Sequence, residues 1–313
     1  MKLLITGDWH YTDKQPDCRI DDYQISITEK IEHIFKRTEE EEISLILQAG
    51  DLTDTPFLSY STYIELSNLL SKFSSASVNT ELYRYNLMTV YGQHDLRYRN
   101  KGNTPLDALA SSGLITILSS DPSSLYPRIC IYGCSFGETH PQIQNPNSFN
   151  ILILHQLIVS SQERDWEKDQ ILHSALLQNS KWDLVVSGDN HLPFIISTGG
   201  KKQRHLINCG SLMRSTIEQV DHEPFFVIFD TNTRTYEKHF LKIKPWQEVF
   251  DLERKVKQEE RNENLEIYAE SLKEQKDMGL DYTANLIAYM QGNKVEKPVE
   301  EIVTECITLN EKL

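Results

Sequence analysis

Short apolar runs alternate with amphipathic stretches through the first two-thirds of the chain. Lys2–Thr6 (KLLIT) and Ser44–Ala49 (SLILQA) read as buried strands. Between them, Asp22–Glu39 carries Ile27, Ile31, Ile34 and Phe35 at helical spacing, with Asp21 or Asp22 placed to cap it. Tyr60–Phe73 repeats the helical pattern through Ile64, Leu66, Leu69 and Leu70, and Leu87–Tyr91 predicts another strand. Strands follow at Ile115–Leu118, Arg128–Tyr132, Asn150–Leu154 and Asp183–Val186, with a helix expected over about Glu163–Leu177. This alternation predicts a layered α/β core. It then stops. Phe194–Ser197, His205–Cys209, Phe225–Asp230 and Thr235–Leu241 come in quick succession, which predicts an antiparallel second half of the sheet.

From about Pro245 the texture changes. Gln247–Lys276 is rich in Glu and Lys and thinly apolar, and shorter helices are expected at Asp281–Met290 and Val299–Leu309. So narrow a stripe suits packing on a partner or on the protein's own body. The expected division is a large α/β domain over 1–241 and a helical tail over 242–313.

Composition narrows the class. The chain has 313 residues, 39% of them hydrophobic, enough to bury a core and so to exclude disorder as the main state. No apolar run approaches the roughly 18 residues that a membrane span needs, and MKLLITGDWH lacks the long apolar stretch of a secretory signal. A cytoplasmic protein is expected, without membrane association. Five cysteines, none in a C-x-x-C pair, read as reduced thiols. The net charge of −14 counts against nucleic acid, but residues 245–313 hold 16 acidic and 9 basic side chains, half of the excess.

The candidate chemistry lies where strands end. Asp8-Trp9-His10 follows the first strand and Gly50-Asp51 the second. Gly92-Gln93-His94-Asp95 follows LMTVY, His155 follows NILIL, and Gly188-Asp189-Asn190-His191 follows DLVVS. Ligands at the carboxyl ends of neighbouring strands converge on one crevice. Carboxylates, imidazoles and an amide together form the mixed O/N set that divalent transition metals favour.

These motifs resemble those of the calcineurin-like metallophosphoesterases: D-x-H, G-D-x-x-D (Gly50–Asp54), G-N-H-D, a strand-end His, and G-H-x-H. Within that superfamily the chain is similar to SbcD-type DNA double-strand-break repair nucleases and their phage relatives. Asn208-Cys-Gly-Ser-Leu-Met-Arg214 resembles their G-S-x-x-R turn, and the phosphatase R-G after the second motif is missing, since Thr55-Pro56 follows Asp54. Two positions depart from the pattern: Gln93 stands for Asn, and Asp189 for the first His of the last motif.

The resemblance implies a four-layer α-β-β-α sandwich with mixed sheets and a helical C-terminal tail. It also implies a site for two divalent ions, with Mn²⁺ favoured and Mg²⁺ next. Asp51 would bridge both ions. Asp8, His10 and His191 would complete one shell, and Gln93, His155 and Asp189 the other. Two ions roughly 3.5–4 Å apart activate a water and clamp a phosphodiester. His94 would donate to the phosphate or leaving oxygen, and Asp95 would orient His94. Arg97, Arg99, Lys101 and Arg214 are candidate DNA or phosphate contacts, whereas Lys201, Lys202 and Arg204 fit a solvated hairpin tip. Trp9 and Tyr11 flank the first ligands and could stack on a base, though packing suits them better. The implied function is a metal-dependent exo- or endonuclease in DNA repair and recombination. It would act as a homodimer with an SbcC-type SMC-like ATPase gripped by the C-terminal helices, and with a reduced capping domain. A phosphomonoesterase or small-molecule phosphodiesterase, and a non-catalytic scaffold subunit, are the alternatives.

Overall fold

The computed structural model describes residues 1–74, 77–78, 81–82, 85–159, 171–172, 181–200, 202–251, 282–292, 295, 297, 299 and 301–303. The chain divides into two compact units, Met1–Asp251 and Leu252–Leu313.

In the first unit, β1 (Lys2–Thr6) is followed by α1 (Tyr23–Glu40), β2 (Leu45–Gln48) and α2 (Tyr60–Ser74). Two short strands, β3 (Ser77–Val78) and β4 (Glu81–Leu82), lead to β5 (Asn86–Thr89), α3 (Pro105–Ser111) and β6 (Thr116–Ile117). Then come β7 (Ser123–Tyr126), β8 (Ile129–Cys134), β9 (Phe149–His155), β10 (Ile158–Val159) and β11 (Ile171–Leu172). The unit closes with β12 (Leu184–Gly188), β13 (Phe194–Ser197), β14 (His205–Asn208), β15 (Phe225–Asp230) and β16 (Thr235–Phe240).

Two six-stranded mixed sheets result, in the orders β16-β15-β1-β2-β5-β6 and β13-β14-β12-β9-β8-β7. In the first, β1, β2, β5 and β6 run parallel, while β15 joins β1 antiparallel and carries β16 at its edge. In the second, β8, β9, β12 and β14 run parallel between antiparallel edges β7 and β13. The antiparallel pairing expected of the late strands holds within β13–β14 and within β15–β16, but the four do not form one half of a sheet. The late strands divide between the sheets, β13 and β14 to one and β15 and β16 to the other, and β14 lies parallel to β12. Adjacency in sequence could not show that division.

The period-2 side-chain alternation of each strand builds the layers. Leu3, Ile5, Leu45 and Leu47 meet Ile151, Ile153, Leu184 and Val186 between the sheets. Leu4, Ile46 and Leu87 face the other way, against Ile27, Ile31 and Ile34 of α1 and Leu66 and Leu70 of α2. Asp22 caps α1 by accepting from the Ile25 amide at 2.9 Å. On the outer face of the second sheet, Tyr132, Leu152, Leu154 and Val185 are covered by Ile158 and Trp182. The helix expected over Glu163–Leu177 lies outside the described residues except Ile171–Leu172, which form β11, parallel to β10.

Lys242–Asp251 continue the first unit. Ile20 donates to the Val249 carbonyl and Asp251 to that of Cys18, each at 2.9 Å, and Val249 and Phe250 are buried. In the second unit Tyr282–Gly292 forms α4. Most of the helix expected within Gln247–Lys276 falls outside the described residues, as does Cys306. Cys18, Cys130, Cys134 and Cys209 are free thiols. Among the described residues no helix is long and apolar enough to cross a membrane.

Candidate metal centre

The exits of β1, β2, β9 and β12 lie side by side in the two facing sheets and deliver five candidate ligands to one place. Asp8, His10, Asp51 and His155 are buried, and His191 is partly exposed. His10, Asp51 and Asp189 hold φ angles of 50°, 47° and 76°, the left-handed region that costs an ordinary side chain free energy. Three such residues among the candidate ligands show that the backbone is bent to aim these groups. Gly92 serves the same end: a Cβ there would fall 2.0 Å from the Asp51 carboxylate.

The hydrogen bonds decide which atoms face inward. His155 Nδ1 lies 2.8 Å from the Ala49 carbonyl, which can only accept, so Nδ1 carries the proton. Nε2 of the neutral ring is then a lone pair, and it comes within 3.2 Å of Asp51 Oδ2 without hydrogen-bond geometry. Asp8 Oδ1, Asp51 Oδ2 and His155 Nε2 are all buried and lack a hydrogen-bond partner. With the His155 ring neutral, these three inward atoms repel one another unless positive charge, a shared proton or a metal cation, lies among them.

A second group adjoins the first. His10 Nδ1 points at Asp54 Oδ1, 3.3 Å away, which leaves His10 Nε2 facing His191 Nε2 at 3.0 Å. His191 Nε2 lies 3.7 Å from Asp8 Oδ2, and His10 Nε2 lies 3.7 Å from Asp51 Oδ2. These are spacings between neighbouring ligands on one ion with bonds of about 2 Å. Ligand atoms within 4.8 Å of one another occur in Asp8–His10–His191 and in His10–Asp51–His94, two sets that share His10.

Charge tells the same story. Burial pushes the Asp8 carboxyl up to about 7, Asp51 adding to this against the pull of His155. Burial would raise Asp51 too, but His155, His10 and His94 hold it well below the usual carboxylate range. Burial would lower His155, yet the charges of Asp51 and Asp8 raise it well above its ordinary value. Burial and the neighbouring His10 push His191 down to about 4. The cluster thus holds protons where a divalent cation would displace them.

Not every expected ligand joins the cluster. Asp189 is partly buried; its amide donates to Asp8 Oδ2 at 2.9 Å and its charge acts on His155. The Gln93 side chain is exposed, beside the buried Gly92. His94 is half-buried; its amide donates to Asp51 Oδ1 at 2.8 Å, and its Nδ1 meets the Asp54 carbonyl at 2.9 Å. The neutral ring therefore offers Nε2 as an acceptor and donates a proton there only as imidazolium.

The orienting role expected of Asp95 is corrected. Its buried carboxylate accepts from the Leu52, Thr53 and Gly92 amides and the Thr53 hydroxyl at 2.9–3.3 Å, not from His94. Asp95 ties the Asp51 loop to the His94 loop, and burial with the nearby Asp51 pushes it up to about 6. Asp54, read in the sequence only as the last letter of G-D-x-x-D, is the group that meets both His94 and His10. Gln48 was missed altogether: buried in β2, it donates to the Gly7 and Gly50 carbonyls and accepts from the Gly50 amide, bracing two ligand loops. No motif marked it.

The expected phosphate contacts separate. Arg97 and Arg99 are exposed, whereas Lys101 is paired with Glu138. Arg214 is corrected as a DNA contact: it is buried and donates to the Val220 and Lys244 carbonyls. Lys202 and Arg204 lie on the β13–β14 hairpin, and Lys201 is outside the described residues. Trp9 and Tyr11 are fully buried, so neither can stack on a ligand. Among the exposed aromatics, Phe57 and Tyr98, 56% and 78% exposed, lie with ring centroids 6.2 Å apart and the Arg97 guanidinium over both. The Gly-Ser-Leu-Met-Arg turn wraps the first ligand: Asp8 donates to the Gly210 carbonyl and Leu212 to that of Asp8.

The profile of the calcineurin-like phosphoesterases matches residues 1–193. The chain belongs to that family. No curated protein matches it significantly. Among solved structures, the phosphoesterase is similar to TT1561 of Thermus thermophilus, with 11% identity, a TM-score of 0.48, and coverage of 77% of this chain and 99% of that one. A dimetal phosphatase from Danio rerio shows 12% identity and a TM-score of 0.42, covering 73% and 91%. The calcineurin-like phosphoesterase YfkN from Bacillus subtilis shows 12% identity and a TM-score of 0.38, covering 77% and 88%.

The phosphoesterase is a metal-dependent hydrolase of phosphate esters. The inward lone pairs of Asp8, Asp51 and His155, with His10 and His191 beside them, fit divalent ions. When bound, such ions acidify water and neutralise phosphoryl oxygens. The chain's own part is to hold the ligands by strained loops, to fix tautomers through Ala49 and Asp54, and to present His94 at the mouth.

Proposed function

We propose that this phosphoesterase is a DNA nuclease of the SbcD type, hydrolysing phosphodiester bonds with two divalent ions, Mn²⁺ first among them. It works as a homodimer with an SbcC-type SMC-like ATPase, and the C-terminal helices supply the grip on that partner. The observation that carries the reading is the exposed Phe57–Tyr98–Arg97 group. Tyr98 lies four residues beyond His94, and Phe57 three beyond Asp54, which touches His94. Two aromatic faces with a guanidinium suit a substrate that carries bases as well as phosphates, because stacking is worth about 1–3 kcal/mol per base. A phosphomonoester without a base, such as a phosphorylated side chain of serine, offers no aromatic face to such a surface, and a mononucleotide offers one where a strand offers several.

The test sets Mn²⁺-dependent degradation of linear DNA against turnover of a chromogenic monoester. DNA cleavage is expected, and Tyr98→Ala should raise KM for DNA roughly five- to a hundredfold. Turnover of the monoester alone would refute the nuclease reading. Inactivity on both, with no Mn²⁺ bound, would favour a scaffold.

A further inference from the structure

A second concentration of charge lies on the far side of the Arg214 turn. A cavity of about 200 Å³ is walled by Ser26, Lys30 and His33 of α1, by Arg19 and Arg214, and by Lys242 and Lys244 after β16. Ser26, Lys30 and His33 fall four and three residues apart on α1 and so share one helical face. Arg19 and Arg214 are buried at 4% and 5% exposure, and Lys242 and Lys244 are exposed at the mouth.

Only two acidic side chains, Asp21 and Glu29, line the same walls. Asp21 is already committed: it takes two bonds from Arg19, at 2.9 and 2.7 Å, one from the Ser26 hydroxyl at 2.8 Å, and pairs loosely with Lys244 at 3.9 Å. Glu29 is exposed. Among the described residues Lys30 forms no ion pair, and burial, followed by the charges of Arg19 and Arg214, pushes its amine down to about 8. Each guanidinium has five N–H groups. Arg19 spends two on Asp21 and one on the Arg214 carbonyl, while Arg214 spends two on carbonyls. Unspent donors from two buried guanidiniums, and one ammonium with no ion pair among the described residues, therefore share one small cavity. Gathering like charges out of water is costly unless a counter-charge is recovered.

We propose that this cavity is a binding site for a compact phosphate-type anion carrying at least two negative charges, a free phosphate or diphosphate or the terminal phosphates of a nucleotide. Its floor is Arg19 and Arg214, its selective cation is Lys30, and Lys242 and Lys244 attract the ligand at the entrance. A cavity of this volume admits one or two phosphate groups.

Calorimetric titration of the full-length, Mn²⁺-loaded protein tests the site, with inorganic phosphate, with methylenediphosphonate (which resists hydrolysis) and with a nucleoside triphosphate. The wild type should bind at two sites, the metal centre and the cavity. Lys30→Gln should keep the first and weaken the second at least tenfold, and the thermal protection that the ligand confers should fall with it. Lys242→Gln, at the exposed mouth, should weaken the same site severalfold without touching the fold. Saturation by phosphate or diphosphonate would identify a free anion, and saturation by the triphosphate alone a nucleotide; either supports the cavity site. Identical stoichiometry and affinity for all three ligands in wild type and both variants would overturn it.

Discussion

Adding one methyl group at Gly188 should damage the metal centre more than the fold. Gly188 ends β12 beside His155, and its φ is not left-handed, so alanine meets no backbone penalty there. The new Cβ would lie 2.4 Å from Asp8 Oδ1, 2.5 Å from the Ala49 carbonyl oxygen and 2.7 Å from His155 Nδ1. Ordinary contact begins at 3.4 Å, so the overlaps reach about 1 Å. Two of those atoms form the hydrogen bond that fixes the His155 tautomer, and Ala49, as backbone, yields least. Overpacking of this kind costs about 1–3 kcal/mol. Displacing a reacting group by about 1 Å costs on the order of a hundredfold in rate. Gly188→Ala should therefore lower kcat on a chromogenic phosphodiester by about a hundredfold and weaken Mn²⁺ binding, with a melting temperature only several degrees lower. Gly199→Ala is the control, because nothing lies within 4 Å of its Cβ. Wild-type turnover and Mn²⁺ affinity in Gly188→Ala would refute the view that Asp8, Ala49 and His155 form one close-packed unit.

Three further outcomes are expected. Asp51→Asn keeps an oxygen for the His94 amide but turns an N–H₂ toward His155 and His10; activity should disappear while circular dichroism stays unchanged, and retention of most activity would rule out a bridging role. Mn²⁺ must displace protons from Asp8, held at about 7, and from His155, held well above its usual value, so affinity should rise with pH through about 7 and go on rising for as long as His155 keeps its proton. Titrations in buffers of different ionisation enthalpy should show proton release at pH 6, and equal affinity at pH 6 and 8 would count against this linkage. Gln93→Asn should leave activity equal or higher, because the present side chain is exposed; a loss beyond about tenfold, some 1.4 kcal/mol, would show a site built around glutamine.

Most of the frame was legible because strong periodicity survives tertiary context. The buried strands and α1, with its Asp22 cap, appear where the apolar pattern placed them, within a residue or two. The seven-residue α3 is too short for a periodic signal, although Thr104-Pro-Leu-Asp107 spells a capping box that a search for caps would have found. Sheet membership was not legible: β13 to β16 share a texture, and only long-range pairing assigns them. In the site, ligand types at strand exits were readable as motifs. Second partners were not, because Asp95 and Asp54 are both carboxylates near His94 in sequence or in space. Only geometry shows that the distant one, Asp54, meets the ring through its backbone carbonyl, with its carboxylate 3.8 Å away, while the adjacent one clamps amides. Likewise Trp9 and Phe57 look equally fit to stack, and burial alone separates them.

The pairing of β1 with β15 joins Lys2–Ile5 to Val227–Asp230, and the loop bearing Asp8 is laced to Gly210 and Leu212. A nascent chain has made its first two ligands within ten residues, yet cannot seat them until more than two hundred others have left the ribosome. Contacts of such sequence separation form late and slowly. Hydrolytic competence therefore arrives with completion of the domain during translation. A product cut short before Phe225 would carry all the motifs and none of the chemistry.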